Sequence, residues 1–214
     1  MNIKPIYFSL KNLKIYYFVP LIVLYVFIPI LNIGMINMSK NIENAYTIIF
    51  REAEKYIPIT SLWWITFIFK EYIEGDGNEL LYCIEDSGKV KVHHIVLIFT
   101  WYIMHVSILF LVYSLFWDNV FLEFIKTVIQ CFFFTSLLYL LIYTLKSTTI
   151  SFMLLLIYEL LATFMNFKCI NYISIFENGM KVSLETIITK YSIFLLLGIL
   201  FLIIGIYKNK RFYF

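Results

Sequence analysis

The sequence predicts an all-α membrane protein of six transmembrane helices, and three observations predict it. Of its 214 residues 62% are hydrophobic and only 14% are charged, a composition unlike that of a water-soluble domain. The apolar residues gather in runs long enough to cross a ~30 Å hydrocarbon core, where only helices or closed barrels satisfy their own backbone. Finally, 7 Gly and 4 Pro leave no flexible linker, so residues 1–214 read as one transmembrane domain with no attached soluble unit.

The first span runs from Ile15 to Ile33 within a charge-free stretch, with Pro20 and Pro29 expected as tolerated kinks. It is longer than a signal-peptide core and no small-residue cleavage site follows it. A second, short span is expected from Tyr56 to Phe69, and a third from His94 to Trp117. A tight turn at Trp117, Asp118 and Asn119 leads into a fourth span ending at Leu145, so the third and fourth form a hairpin. Lys146 and Ser147 make the next turn, Thr148 to about Phe167 the fifth span, and Tyr191 to Tyr207 the sixth.

Three segments are read as lying outside the spans. Ile3, Ile6, Tyr7, Leu10 and Leu13 alternate at helical spacing with Lys4, Lys11 and Lys14, the pattern of an N-terminal interfacial helix. Residues 39–57 mix apolar positions with Glu43, Arg51, Glu52, Glu54 and Lys55 and read as an amphipathic outer connector. Residues 168–190 suit two short re-entrant helices around a turn at Asn178 and Gly179.

Six spans place Lys4, Lys11, Lys14, Lys70, Lys89, Lys91, Lys146, Lys208, Lys210 and Arg211 on one side. Lys and Arg accumulate in cytoplasmic loops, so both termini are expected in the cytoplasm of a cell-membrane protein. The net charge of +3 is spread between apolar segments, which makes nucleic acid a poor partner and lipid or protein a better one. Cys83, Cys131 and Cys169 lie far apart without a CxxC spacing, which argues against a zinc site or a disulfide framework.

The chemical signal concentrates in residues 70–92, which hold Glu71, Glu74, Asp76, Glu79, Glu85 and Asp86. Gly75 and Gly77 permit a sharp turn out of the second span, Asp76 or Asn78 can cap a helix, and Leu80, Leu81 and Ile84 would form one apolar stripe. Such a helix is a docking element; the alternative is a solvated loop.

In Glu74, Gly77, Glu79, Leu80 and Leu81 the sequence resembles the permease subunits of type-2 ABC exporters, which place an acid, a glycine and then a glutamate followed by leucines in a cytoplasmic coupling helix between spans two and three. The resemblance extends to the layout, from the interfacial helix to the paired re-entrant helices before span six. The proline that usually follows the leucines is absent. The resemblance implies an exporter whose ATPase is a separate polypeptide, and the small outer loops and apolar, aromatic interior suggest a hydrophobic or amphipathic substrate, such as a peptide or lipid-like compound. The resemblance also implies two permease chains, identical or homologous, seated on two ABC ATPase subunits that carry the ATP and Mg. The chain has no GxxxxGK[ST] and so no phosphate-binding loop of its own.

Two other classes compete. An intramembrane hydrolase is suggested by His93, His94, His105 and Glu159, but no HExxH or GxSxG is present, and His94 and His105 stand ~16 Å apart along one helix. The other is a non-transporting self-protection or assembly protein. Depth arithmetic puts Lys126 and Glu159 at the same level, so they are expected to form a buried charge pair, with Glu123, one turn from Lys126, as a competitor.

Overall fold

A computed structural model describes residues 10–39, 45–75, 88–164 and 174–210. Among these residues all regular structure is helical. Helix α1 covers Lys14–Met38, α2 Ala45–Thr60, α3 Leu62–Ile73, α4 Gly88–Ser114, α5 Val120–Leu145, α6 Thr148–Phe164 and α7 Leu184–Lys210. Four of them are long and apolar enough to cross a membrane, namely α1, α4 from Val92, α5 and α7. The apolar part of α6, Thr148–Ala162, is shorter.

Helix α1 accommodates its prolines through its hydrogen-bonding pattern. It opens with a 3-10 turn at Lys14–Phe18, so Pro20 falls in the first turn of the α segment that follows, where an N–H has no intrahelical acceptor anyway. A π turn at Val23–Phe27 immediately precedes Ile28–Ser39, and its widened spacing admits Pro29.

The region expected as an outer connector is instead helix α2. Ser61 keeps right-handed helical angles between α2 and α3, so residues 45–73 form a single kinked rod and the segment expected as a short span is the C-terminal half of a longer helix. Pro58 causes the kink because it lacks the donor for the preceding turn. Three hydroxyls cover the carbonyls around it: Ser61 donates to Pro58 at 2.5 Å, Thr60 to Tyr56 at 2.6 Å, and Tyr102 of α4 to Ile57 at 2.8 Å. Hydropathy hid α2 because its charged residues Glu52 and Glu54 are buried by protein.

Helix α5 is the centre of the bundle: 61% of its apolar window is buried, against 11% for α7 and 22% for α1. It packs on α7 through Gly198 and Gly205, two turns apart on one face. A Cβ at Gly198 would meet the Phe132 ring at 2.9 Å, and one at Gly205 the Tyr139 ring at 2.6 Å. Trp64, Phe69, Tyr102, Phe134 and Tyr139 fill the interior.

The turns follow the sequence closely. Asn119 before α5 and Lys146 after it adopt positive φ, so each reverses the chain within a few residues. Between α6 and α7, Asn178 (φ 53) and Gly179 (φ 81) form the expected turn, closed by the Met180 amide donating to the Glu177 carbonyl at 3.1 Å. Residues 174–183 around it are not helical, and Leu184, Ile187 and Ile188, expected in a separate re-entrant helix, belong to the first turns of α7. Most of the N-terminal interfacial helix and the first re-entrant helix lie outside the described residues.

Candidate functional site

The most concentrated polar chemistry among the described residues lies where α2, α5 and the 174–183 segment meet. Lys126 of α5 is enclosed, and its ammonium forms ion pairs with Glu54 of α2, at 2.5 Å, and with Glu123 one turn back on its own helix. The carboxylates are equally enclosed, at 2% exposure for Glu54 and 0% for Glu123. Two carboxylates against one ammonium leave an excess negative charge, and a buried charge requires hydrogen-bond donors. They come from the chain itself. Glu54 accepts from the backbone amides of Glu177 (3.3 Å) and Gly179 (3.2 Å), and Glu123 accepts from the Tyr46 hydroxyl (2.7 Å) and the Val182 amide (3.2 Å).

The same segment is held at two further points. Gln130 of α5 and Tyr191 of α7 both donate to the Ile175 carbonyl at 2.9 Å, and Lys190 pairs with Glu177 at 2.8 Å. Gly179 is packed so closely on α2 that a Cβ there would lie 2.2 Å from the Thr47 carbonyl oxygen. The cluster therefore clamps an irregular segment onto two helices, with the donors of the turn aimed at the acceptors of the bundle.

Of the two partners expected for Lys126 from the sequence, the structure pairs it with the competitor Glu123; its second carboxylate is Glu54, and among the described residues no ion pair joins it to Glu159. At Lys126 it is the faces of α2 and α5 that turn toward each other. Glu159 is buried on α6, within electrostatic reach of Tyr56, Tyr102 and Cys131 near the kink. Glu54 was missed as a site residue. Its signal was its phase, since Tyr46, Phe50, Glu54 and Ile57 fall on one helical face once residues 45–60 are taken as a helix.

The histidines do not converge. His94 is buried beside the Tyr72 ring, and His105 shares a 3.0 Å hydrogen bond between its Nδ1 and the Tyr25 hydroxyl. Among the described residues no three His, Cys, Asp or Glu side chains gather as metal ligands would.

Of the segment expected from the sequence to act as a docking element, only its start is described. Glu74 caps the end of α3 and reaches across to the start of α6, where its Oε1 accepts from Ser147 Oγ (2.9 Å), the Thr148 amide (2.8 Å) and Thr148 Oγ1 (3.1 Å). Partial burial pushes its carboxyl upward, but these donors to the ionised form outweigh it and leave the pKa below the ordinary value. Gly75 follows, and a Cβ there would stand 2.4 Å from the Glu71 carbonyl oxygen, so the exit from α3 excludes a side chain. Gly77, Glu79, Leu80, Leu81 and Ile84 lie outside the described residues.

No family model, no curated protein and no solved structure matches the chain.

Proposed function

We propose that the chain is the membrane-spanning permease subunit of an ABC exporter, moving a hydrophobic or amphipathic cargo at the expense of ATP hydrolysed by a separate ATPase subunit. The proposed arrangement has six passes: α1, the α2–α3 rod, α4, α5, α6 and α7, with both termini and residues 74–91 on the cytoplasmic side. Two such chains pair around the pathway, and nucleotide and Mg reside on the ATPases.

The observation that carries this reading is the attachment of Glu74. A segment that passes force from an ATPase to membrane helices needs a fixed root, because a slack tether dissipates the displacement. Glu74 ties the end of α3 to the first turn of α6 through three hydrogen bonds just before the acidic, leucine-bearing stretch begins. A push on residues 76–86 would thus be delivered to α3 and α6 together. The apolar stripe Leu80, Leu81 and Ile84 supplies the contact, each side chain contributing roughly 1.5–3 kcal/mol when fully buried in a partner.

The test is affinity purification in mild detergent from the native host, with identification of the copurifying chains. An ABC ATPase is expected with the wild type and lost from Leu80→Asp/Leu81→Asp, which places two charges in an apolar contact while leaving the described helices untouched. A monodisperse wild type that brings down no ATPase overturns the exporter reading and favours a non-transporting self-protection or assembly role.

A further inference from the structure

At the α4–α5 end of the bundle two cavities share the turn that joins these helices. One, of about 420 Å³, is lined by Tyr46, Trp117, Asp118, Asn119 and Lys181. The other, of about 400 Å³, is an apolar groove between α4 and α5 lined by Ser107, Phe110, Leu111, Ser114, Phe121 and Phe124. Ser114 borders the groove, Phe116 to Asn119 border the polar cavity, and Phe121 returns to the groove. A polar chamber thus opens beside a slot that runs down the helices, with Ser107 about 10 Å below Ser114 at 1.5 Å per residue.

The polar chamber carries both signs of charge on exposed side chains. Lys181 lies over the Tyr46 ring, 5.2 Å from its centre, and Asp118 lines the same chamber; among the described residues neither enters an ion pair. Asn119 gives α5 no side-chain cap, and although the Leu122 amide donates to the Asn119 carbonyl at 3.2 Å, the Val120 and Phe121 amides that open this 26-residue helix precede its internal bonds. Around the mouth Leu115, Phe116 and Phe121 are 80%, 69% and 70% exposed.

We infer that these neighbouring cavities together bind one zwitterionic glycerophospholipid, phosphatidylethanolamine in kind, from the leaflet at the α4–α5 end. Its phosphate meets Lys181 and the amides that open α5, and its ammonium meets Asp118 and the Trp117 ring face. One acyl chain lies in the groove between α4 and α5. The opposed charges select a zwitterion: an anionic glycerol headgroup satisfies Lys181 but leaves Asp118 facing it without a cation. The inference is independent of the exporter reading, since it uses no residue of the 74–91 segment.

The test uses the full chain purified in detergent, with mixed micelles holding equal amounts of phosphatidylethanolamine and phosphatidylglycerol of the same acyl chains, and native mass spectrometry of the retained lipid. The wild type is expected to retain one phosphatidylethanolamine with a preference of about tenfold. Asp118→Asn/Lys181→Gln, at two exposed positions, is expected to bring the preference to parity, and Ser107→Phe to lower total retention by filling the groove. Deacylated glycerophosphoethanolamine is expected not to displace the lipid. Equal retention of the two lipids by the wild type, a preference that survives in the double variant, or displacement by the deacylated headgroup each overturns the inference.

Discussion

The Gly179 amide donates to the Glu54 carboxylate across 3.2 Å, although the two residues are separated by 125 positions in the chain. Glycine is required on one side of this contact, because of positive φ and the Thr47 carbonyl beneath it, and a carboxylate on the other, because Lys126 shares it.

Removing the cation from the cluster leaves two buried carboxylates facing each other. Lys126→Met is therefore expected to lower stability by about 3–5 kcal/mol. Adding Glu54→Gln and Glu123→Gln to it should recover part of that loss. Thermal unfolding in detergent measures both, and a Lys126→Met chain as stable as the wild type would refute the assigned partners.

A double-mutant cycle separates the observed partner from the one expected by depth. Lys126→Met with Glu54→Gln should show a coupling of roughly 1–3 kcal/mol, whereas Lys126→Met with Glu159→Gln should be additive to about 0.5 kcal/mol. The reverse pattern would restore the Lys126–Glu159 pair.

Gly179→Ala combines a left-handed backbone with a Cβ 2.2 Å from a backbone oxygen, so a loss of about 2 kcal/mol or more is expected. Gly34→Ala, a helical position with nothing within 4 Å, should instead be neutral or stabilise by up to about 1 kcal/mol. Unfolding midpoints of the two variants, run side by side, test the contrast.

Glu74 provides a pH dependence. Its folded-state pKa is depressed, so its stabilisation is present above the ordinary value of 4.5 and disappears as pH falls through the folded value. The stability gap between wild type and Glu74→Gln should be full at neutral pH and close in acid. A gap that widens on acidification would contradict the hydrogen bonds from Ser147 and Thr148.

The long apolar helices α1, α4, α5 and α7 could be read from sequence because their charges, such as Glu123 and Lys126 in α5 and Glu185 and Lys190 in α7, fall near the ends and leave long apolar runs between them. So could the reversals at Asn119, Lys146 and Asn178–Gly179, where short polar or glycine-containing links leave few conformations. Helix α2 could not, because hydropathy counts Arg51, Glu52, Glu54 and Lys55 as solvent-facing, while in the fold Glu52 and Glu54 are among the least exposed residues. The pairing of Lys126 with Glu54 was hidden for another reason. Depth follows from counting residues at 1.5 Å each, but partner choice depends on rotation about the helix axis, which turns by ~100° per residue and is set only when neighbours pack. Gln130 and Tyr191 meeting on the Ile175 carbonyl depend in the same way on the assembled bundle.

The clamp on Glu54 also sets an order of events during synthesis. Glu177, whose amide the carboxylate needs, is made 123 residues after it. At ~5–20 residues per second that interval lasts roughly 6–25 s. Throughout it, α2 carries an acid on its apolar face with no turn to receive it, and Lys126 arrives only midway. The nascent chain thus passes through a period in which its first half is inserted without these donors, and a chain that stops after α6 has Lys126 to pair with Glu54 but lacks the Glu177 and Gly179 amides that complete the carboxylate's contacts.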